Sequence, residues 1–275
     1  SCAKGVITKP ETLHICYCHT PMRYAWDDWH SYIREYKMNP ILKHFAKKRL
    51  HSLRIWDRLS ADRVDFFIAN STTTQKRIEK YYRKPSEVVY PMIRIKNYEI
   101  AKKTKEYFLA VGRLTPYKKF DLIVETFNKL NLPLKIVGTG IMEEDLKKQA
   151  KGHIEFLGHV SDKELRTLYS ECEALIFPQI EDFGITAIDA MACGRPVIAL
   201  AQGGALDSVI EGKTGIFFAK QTPLHLKAAI EKYLEEKKKF NPEKIREHAK
   251  QFDKSAFQKN FMKSLREKWN TWQQT

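Results

Sequence analysis

From residue 106 onward, short apolar runs alternate with amphipathic stretches in a way that leaves few architectures open. "YFLAVGRL", "LKIVGTG", "IEFLGHV", "ALIFPQ", "PVIAL" and "GIFF" are nearly continuous apolar segments, the pattern of strands buried on both faces. Between them lie "KKFDLIVETFNKL", "MEEDLKKQA" and "DKELRTLYSEC", which carry apolar residues at helical spacing. Ser161 followed by Glu164 marks a capping box at the head of the last. Repeated strand–helix units of this length predict an α/β fold with a parallel, doubly wound sheet.

The first third repeats the pattern on a smaller scale. "LHICYCH", "VDFFIAN" and "SEVVYPMI" read as strands, separated by the helical "ILKHFAKKRLHSLRIWDRL" and by "TTTQKRIEKYY", for which Ser71 is the expected N-cap. Three strands leave a sheet edge and apolar faces uncovered, so this domain is expected to be truncated. The expected organisation is an N-terminal domain over 1–96, a polar linker over 97–106, a second domain over 107–252 and a final amphipathic helix over 253–275. Thr222-Pro223 and Asn241-Pro242 each give an N-cap with proline in the first helical position.

The net charge is +15, from 48 basic and 33 acidic residues. Such a field favours nucleic acid, anionic lipid or phosphorylated ligands, or simply makes a solvated basic surface. The basic residues are scattered, with no reading module, which argues against nucleic acid. Five cysteines, an odd and sparse set, read as reduced thiols in a cytoplasm. His14, Cys16 and Cys18 share one strand face with His19 just beyond, but ligands two apart on one strand do not close a tetrahedron, so no metal is expected. No run approaches the length of a spanning helix, and no export signal opens the chain. A soluble, cytoplasmic protein is the expectation.

Ligands of open α/β sheets bind beyond the carboxyl ends of the strands. His19, Arg113, Gly138, Gly140 and Glu181 all fall there. Gly184 lets backbone approach closely at the head of a helix, whose free N–H groups form an anion cradle. Carboxylates at Glu181 and Asp189 beside such a cradle need neutral polar partners, and sugar hydroxyls supply them. Arg113 and Lys118 add cations at the mouth of the neighbouring strand. A diphosphate flanked by hydroxyl-rich groups, as in a nucleotide sugar, suits all four. Singly, each residue has a plainer reading: Glu181 as helix-dipole compensation, Asp189 on a solvated face, Arg113 and Lys118 as surface charges. "GTGIMEE" has Glu143 where a dinucleotide fingerprint needs its third glycine.

"VGRLTPYKKFDLIVETF", "FLGHVSDKEL", "EDFGITAIDAMACGRPVIA" and "GGALDSVIEGKTGIFF" resemble, in order and spacing, the retaining GT-B glycosyltransferases of family four. "CHTPMRYAWD" and "IANSTTTQKRIEKYY" are similar to the second half of that family's N-terminal domain. The resemblance implies two Rossmann-like domains, with the final helix crossing back to the first. Arg113 and Lys118 match the pair that neutralises the donor diphosphate without a metal or other cofactor. Glu181 matches the acid holding the donor sugar, and Asp189 the one that binds ribose, where Glu is usual. Backbone near Phe183, Gly184 and Ile185 would meet phosphate, with Gly138 also on the donor side, and Val160 and Asp162 lie where the base is read. His19 matches the histidine near the reacting carbon, and Arg23 is an acceptor-side candidate.

The likeness is nearest to mannosyltransferases of bacterial surface polysaccharide and lipopolysaccharide assembly. It implies GDP-mannose as donor and a lipid-linked or polysaccharide acceptor. The basic, aromatic helix Pro40 to Leu59 would either meet anionic lipid at the inner face of the membrane or simply pack on the sheet with a solvated basic face. The alternatives are a non-catalytic nucleotide-sugar-binding or assembly subunit, and a nucleotide-sugar epimerase.

Overall fold

The computed structural model describes residues 2–27 and 39–274. The chain divides into two compact units, residues 1–90 with 257–275, and residues 91–256.

The first unit holds three parallel strands, β1 (Ile15–Cys18), β2 (Phe66–Ala69) and β3 (Ser86–Val88), in that order. Phe67, Val64, Ile78 and Tyr82 form the core beside β2. Ser71 caps the helix Thr72–Tyr82 as expected, its Oγ accepting from the Thr74 amide at 3.0 Å. The helix Pro40–Ala61 carries a buried carboxylate, Asp57. That carboxylate accepts from Tyr82 Oη and Trp26 Nε1, each at 2.8 Å, and pairs with Lys4 at 2.8 Å. Three donors from distant parts of the chain thus offset the burial of one charge.

The final helix, Lys254–Trp272, belongs to the first unit from Phe257 onward. Phe257 and Phe261 meet the Tyr17 ring edge-on, with centroids 5.9 and 5.7 Å away. Ser264 Oγ donates to Glu87 at 2.6 Å, and Lys268 pairs with the same carboxylate.

The second unit is a six-stranded parallel sheet of β4 (Phe108–Val111), β5 (Leu134–Val137), β6 (Ile154–Gly158), β7 (Leu175–Phe177), β8 (Val197–Leu200) and β9 (Gly215–Phe218). The doubly wound parallel architecture expected from the apolar runs is present. The spatial order is β6-β5-β4-β7-β8-β9. The chain therefore starts mid-sheet at β4, builds outward to β6, and returns beside β4 as β7 to build the other way. Such a reversal opens a crevice beyond the carboxyl ends of the two central strands. Strands β7 and β8 are buried along their whole length, which is why they read as unbroken apolar runs.

Residues 97–106, read as a linker from their polarity, lie within the second unit. Arg246 ties their leading end down. Its guanidinium donates to the carbonyls of Tyr98 at 2.7 Å, Ile95 at 3.2 Å and Ala192 at 2.5 Å. Ile93 also bridges to Asp253 in a parallel pair. Among the described residues, no helix is long and apolar enough to cross a membrane.

Candidate functional site

The crevice at the strand reversal is built on close backbone approach. Gly138, just past β5, has φ +128°, and a Cβ there would fall 2.0 Å from the Gly112 carbonyl oxygen. Only glycine lets the ends of β4 and β5 come so near. On the other side of the reversal, Gly184 has φ +90°, and a Cβ would fall 2.7 Å from the Phe177 ring. It is the N-cap of the helix Ile185–Ala192, whose first turn contains no acidic residue. No acidic side chain within that turn offsets the positive end of the helix, which suits an anionic ligand.

Two charged side chains meet between these glycines. Lys118 ends a single 3-10 turn, Pro116–Lys118, that follows β4. Its Nζ pairs with Glu181 Oε1, from the loop that follows β7. Both side chains are largely shielded, at 14% and 19% exposure. Arg113 is exposed at the same mouth and donates from Nη2 to Tyr117 Oη at 3.3 Å. Phe183 turns inward, buried, and packs edge-on against Phe252 at 5.5 Å. Ile185 stays exposed.

Asp189 does not lie on a solvated helix face. It accepts from Tyr98 Oη at 2.6 Å. Burial pushes its carboxyl up to about 6, with the Tyr98 hydrogen bond acting in the opposite direction. Asp189 and Tyr98 line a cavity of about 360 Å³ together with Asp162, Arg166, Tyr169 and Ile185. The Tyr169 hydroxyl is buried there and has no hydrogen-bond partner among the described residues. Asp162 is exposed at the head of its helix, where Ser161 Oγ accepts from the Glu164 amide at 3.2 Å, and Val160 precedes that cap half-buried.

The structure thus brings together Lys118 with Glu181, and Asp162 and Ile185 with Asp189. His19 and Arg23 belong to the first unit. His19 is exposed beyond β1, its ring edge-on to Tyr17 at 5.2 Å and its carbonyl accepting from Thr74 Oγ1 at 3.1 Å. Arg23 opens the short helix Arg23–Trp26 and is half-buried. Tyr98 and Tyr169 escaped the sequence reading. Tyr98 stands among charged residues, and an isolated aromatic in such a run was its only signal.

Among solved structures, the chain is similar to Anabaena HepE in complex with UDP, with a TM-score of 0.70 and 19% identity over 92% of this chain and 79% of that one. This likeness is one of fold, and the parallel α/β architecture is of GT-B type. The O-antigen chain mannosyltransferase RfbU of Salmonella typhimurium is 31% identical over 153 residues, covering 51% of this chain and 43% of the relative. A probable sucrose-phosphate synthase of Thermosipho melanesiensis is 29% identical over 230 residues, covering 70% of this chain and 54% of the relative. The chain spans about half the length of the curated relatives it matches. The close-packed glycines, the helix head and the Lys118–Glu181 pair all lie within residues 92–256, which match the Glycosyl transferases group 1 family, and the chain belongs to that family.

Proposed function

We propose that this chain moves a hexose from a nucleotide sugar to an acceptor hydroxyl with retention of anomeric configuration, and that the sugar is mannose carried on GDP. The observation that carries the reading is the Lys118–Glu181 pair at the strand reversal, beside the head of the helix Ile185–Ala192. In this reading Lys118, Arg113 and the amides after Gly184 take the diphosphate, with no metal, and Glu181 takes the sugar hydroxyls. The second oxygen of Asp189 accepts from ribose, and the base lies toward Val160 and Asp162. His19 is assigned near the reacting carbon, as a positioning or proton-relay group, and Arg23 to the acceptor side.

The bond from the anomeric carbon to the diphosphate oxygen breaks, and a bond to the acceptor oxygen forms on the same sugar face. The acceptor proton passes to the departing diphosphate oxygen. Lys118 gains most as that oxygen becomes charged, which is transition-state stabilisation. The name of the O-antigen chain mannosyltransferase supports mannose and a polysaccharide acceptor, whereas the solved complex of HepE with UDP-glucose puts that donor into any test.

A thermal-shift panel of GDP-mannose, UDP-glucose, UDP-N-acetylglucosamine, GDP, UDP and NAD decides between them. GDP-mannose at about 100 times its dissociation constant adds roughly 2.7 kcal/mol, a rise of several degrees. The rise is expected to shrink in Glu181→Ala. A shift with UDP-glucose alone would keep a nucleotide-sugar site and replace the sugar. No shift with any nucleotide would sink the donor reading in favour of an assembly subunit.

The helix Pro40–Ala61 exposes Phe45, Ile55 and Leu59 among its basic residues, and we assign it a peripheral contact with anionic lipid. The chain is expected to co-sediment with phosphatidylglycerol vesicles and not with phosphatidylcholine ones. Equal sedimentation with both, or with neither, would refute that contact.

A further inference from the structure

The second unit has a smaller cavity, of about 200 Å³, at the opposite edge of its sheet. Its walls precede the strands rather than follow them. Thr104 lies ahead of β4, Glu173 ahead of β7, and Arg195 ahead of β8, while Lys237 and Lys238 come from the turn after the helix Pro223–Glu236. Arg195 is only 6% exposed. Its Nη2 reaches the Ala101 carbonyl at 3.4 Å, and its Nε is buried with no hydrogen-bond partner among the described residues.

A guanidinium carries five N–H donors and is seldom buried unpaired. Here the nearby carboxylate is otherwise engaged. Glu173 accepts from Tyr233 Oη at 3.2 Å and pairs with Lys237 at 3.5 Å. Among the described residues, no carboxylate comes within 4.0 Å of Arg195. With Lys237 assigned to Glu173, Arg195 and the exposed Lys238 leave two uncompensated positive charges in one small cavity.

We infer that this cavity is an anion site, distinct from the crevice at the strand reversal, that takes a phosphoryl group on Arg195 and Lys238. The planar fork of arginine matches two phosphate oxygens at once, and Lys238 adds a point charge at the entrance. The volume lies below the range usual for drug-sized ligands, so the occupant is free phosphate or the phosphate of a small monoester.

The test is a melting-temperature titration with inorganic phosphate, with glycerol 3-phosphate, and with chloride at matched ionic strength. The intact chain is compared with Lys238→Ala, Arg195→Met and Lys118→Ala. Phosphate near 100 times its dissociation constant is expected to raise the melting temperature by about 5 to 10 °C. The rise survives in Lys118→Ala and is lost in both Lys238→Ala and Arg195→Met. A larger response to glycerol 3-phosphate than to phosphate at equal concentration identifies a monoester site, and the reverse identifies free phosphate. Lys238 is exposed, so its substitution tests the site even where Arg195→Met unfolds the chain. A rise that disappears in Lys118→Ala but persists in Lys238→Ala places the anion in the other crevice and overturns the inference. So does a rise that chloride reproduces.

Discussion

Lys118→Ala is expected to lower kcat/KM for sugar transfer by about 10²- to 10³-fold, the usual loss when one donor to a developing anion is removed. The size follows from where Lys118 sits. It follows β4, pairs with Glu181 after β7, and is only 14% exposed. If the donor diphosphate lies there as proposed, a cation so placed would feel the departing oxygen through protein rather than through water, and its attraction would grow as the bond breaks. The other cation at this mouth, Arg113, is exposed and leans on Tyr117, so it substitutes poorly. Stability should fall as well, by roughly 1 to 3 kcal/mol, because Glu181 is left without its partner in a largely shielded position. Initial rates of transfer, or of donor hydrolysis, beside a thermal melt separate the two effects. A loss of less than tenfold in a chain that still melts cooperatively would remove Lys118 from leaving-group stabilisation. Glu181→Gln keeps the shape of the partner but not its charge, and it should cost a comparable factor if Glu181 grips the donor sugar.

Much of this arrangement was legible in the sequence. Strands buried on both faces cannot alternate, so β7 and β8 announce themselves as "ALIF" and "PVIAL", and the glycines after β4 and β5 mark where backbone must pass backbone. Lys118 and Glu181 could be paired on paper because both follow strands that a doubly wound sheet sets side by side. Tyr98 could not. It lies 91 residues from Asp189 and is held there by Arg246, a residue further along still, through carbonyl contacts that leave no pattern in composition. The same blindness made 97–106 look like a linker. Arg195 was hidden for a different reason: a charge just ahead of "PVIAL" reads as the solvated lead-in to a strand, whereas the fold buries it in a cavity shared with the distant Thr104, Lys237, Lys238 and Pro242.

Asp189→Asn is expected to stabilise the chain at pH 7.5 by about 1 to 3 kcal/mol while weakening donor binding. In the folded chain burial holds the Asp189 carboxyl up at about 6, against an ordinary value of 3.8. Between about pH 4 and pH 6 the native state therefore keeps a proton that the unfolded state has released. Stability falls as pH rises through that window, and above it the ionised carboxylate remains a standing cost of up to roughly 3 kcal/mol. Asparagine removes that cost and can still accept from Tyr98 through its amide oxygen. Urea midpoints across pH 4 to 7.5 should fall with rising pH in the natural chain and run flatter in the variant. Parallel slopes would mean that another group titrates there. Tyr98→Phe supplies the opposite displacement. The Tyr98 hydroxyl favours the ionised carboxylate, so its loss pushes the Asp189 carboxyl further up and carries the falling limb above pH 6. If ionised Asp189 accepts from ribose, donor affinity in the natural chain drops as pH falls through about 6, and Tyr98→Phe moves that drop toward neutrality. A purely structural Tyr98 would change the melt and leave the pH profile of binding where it was.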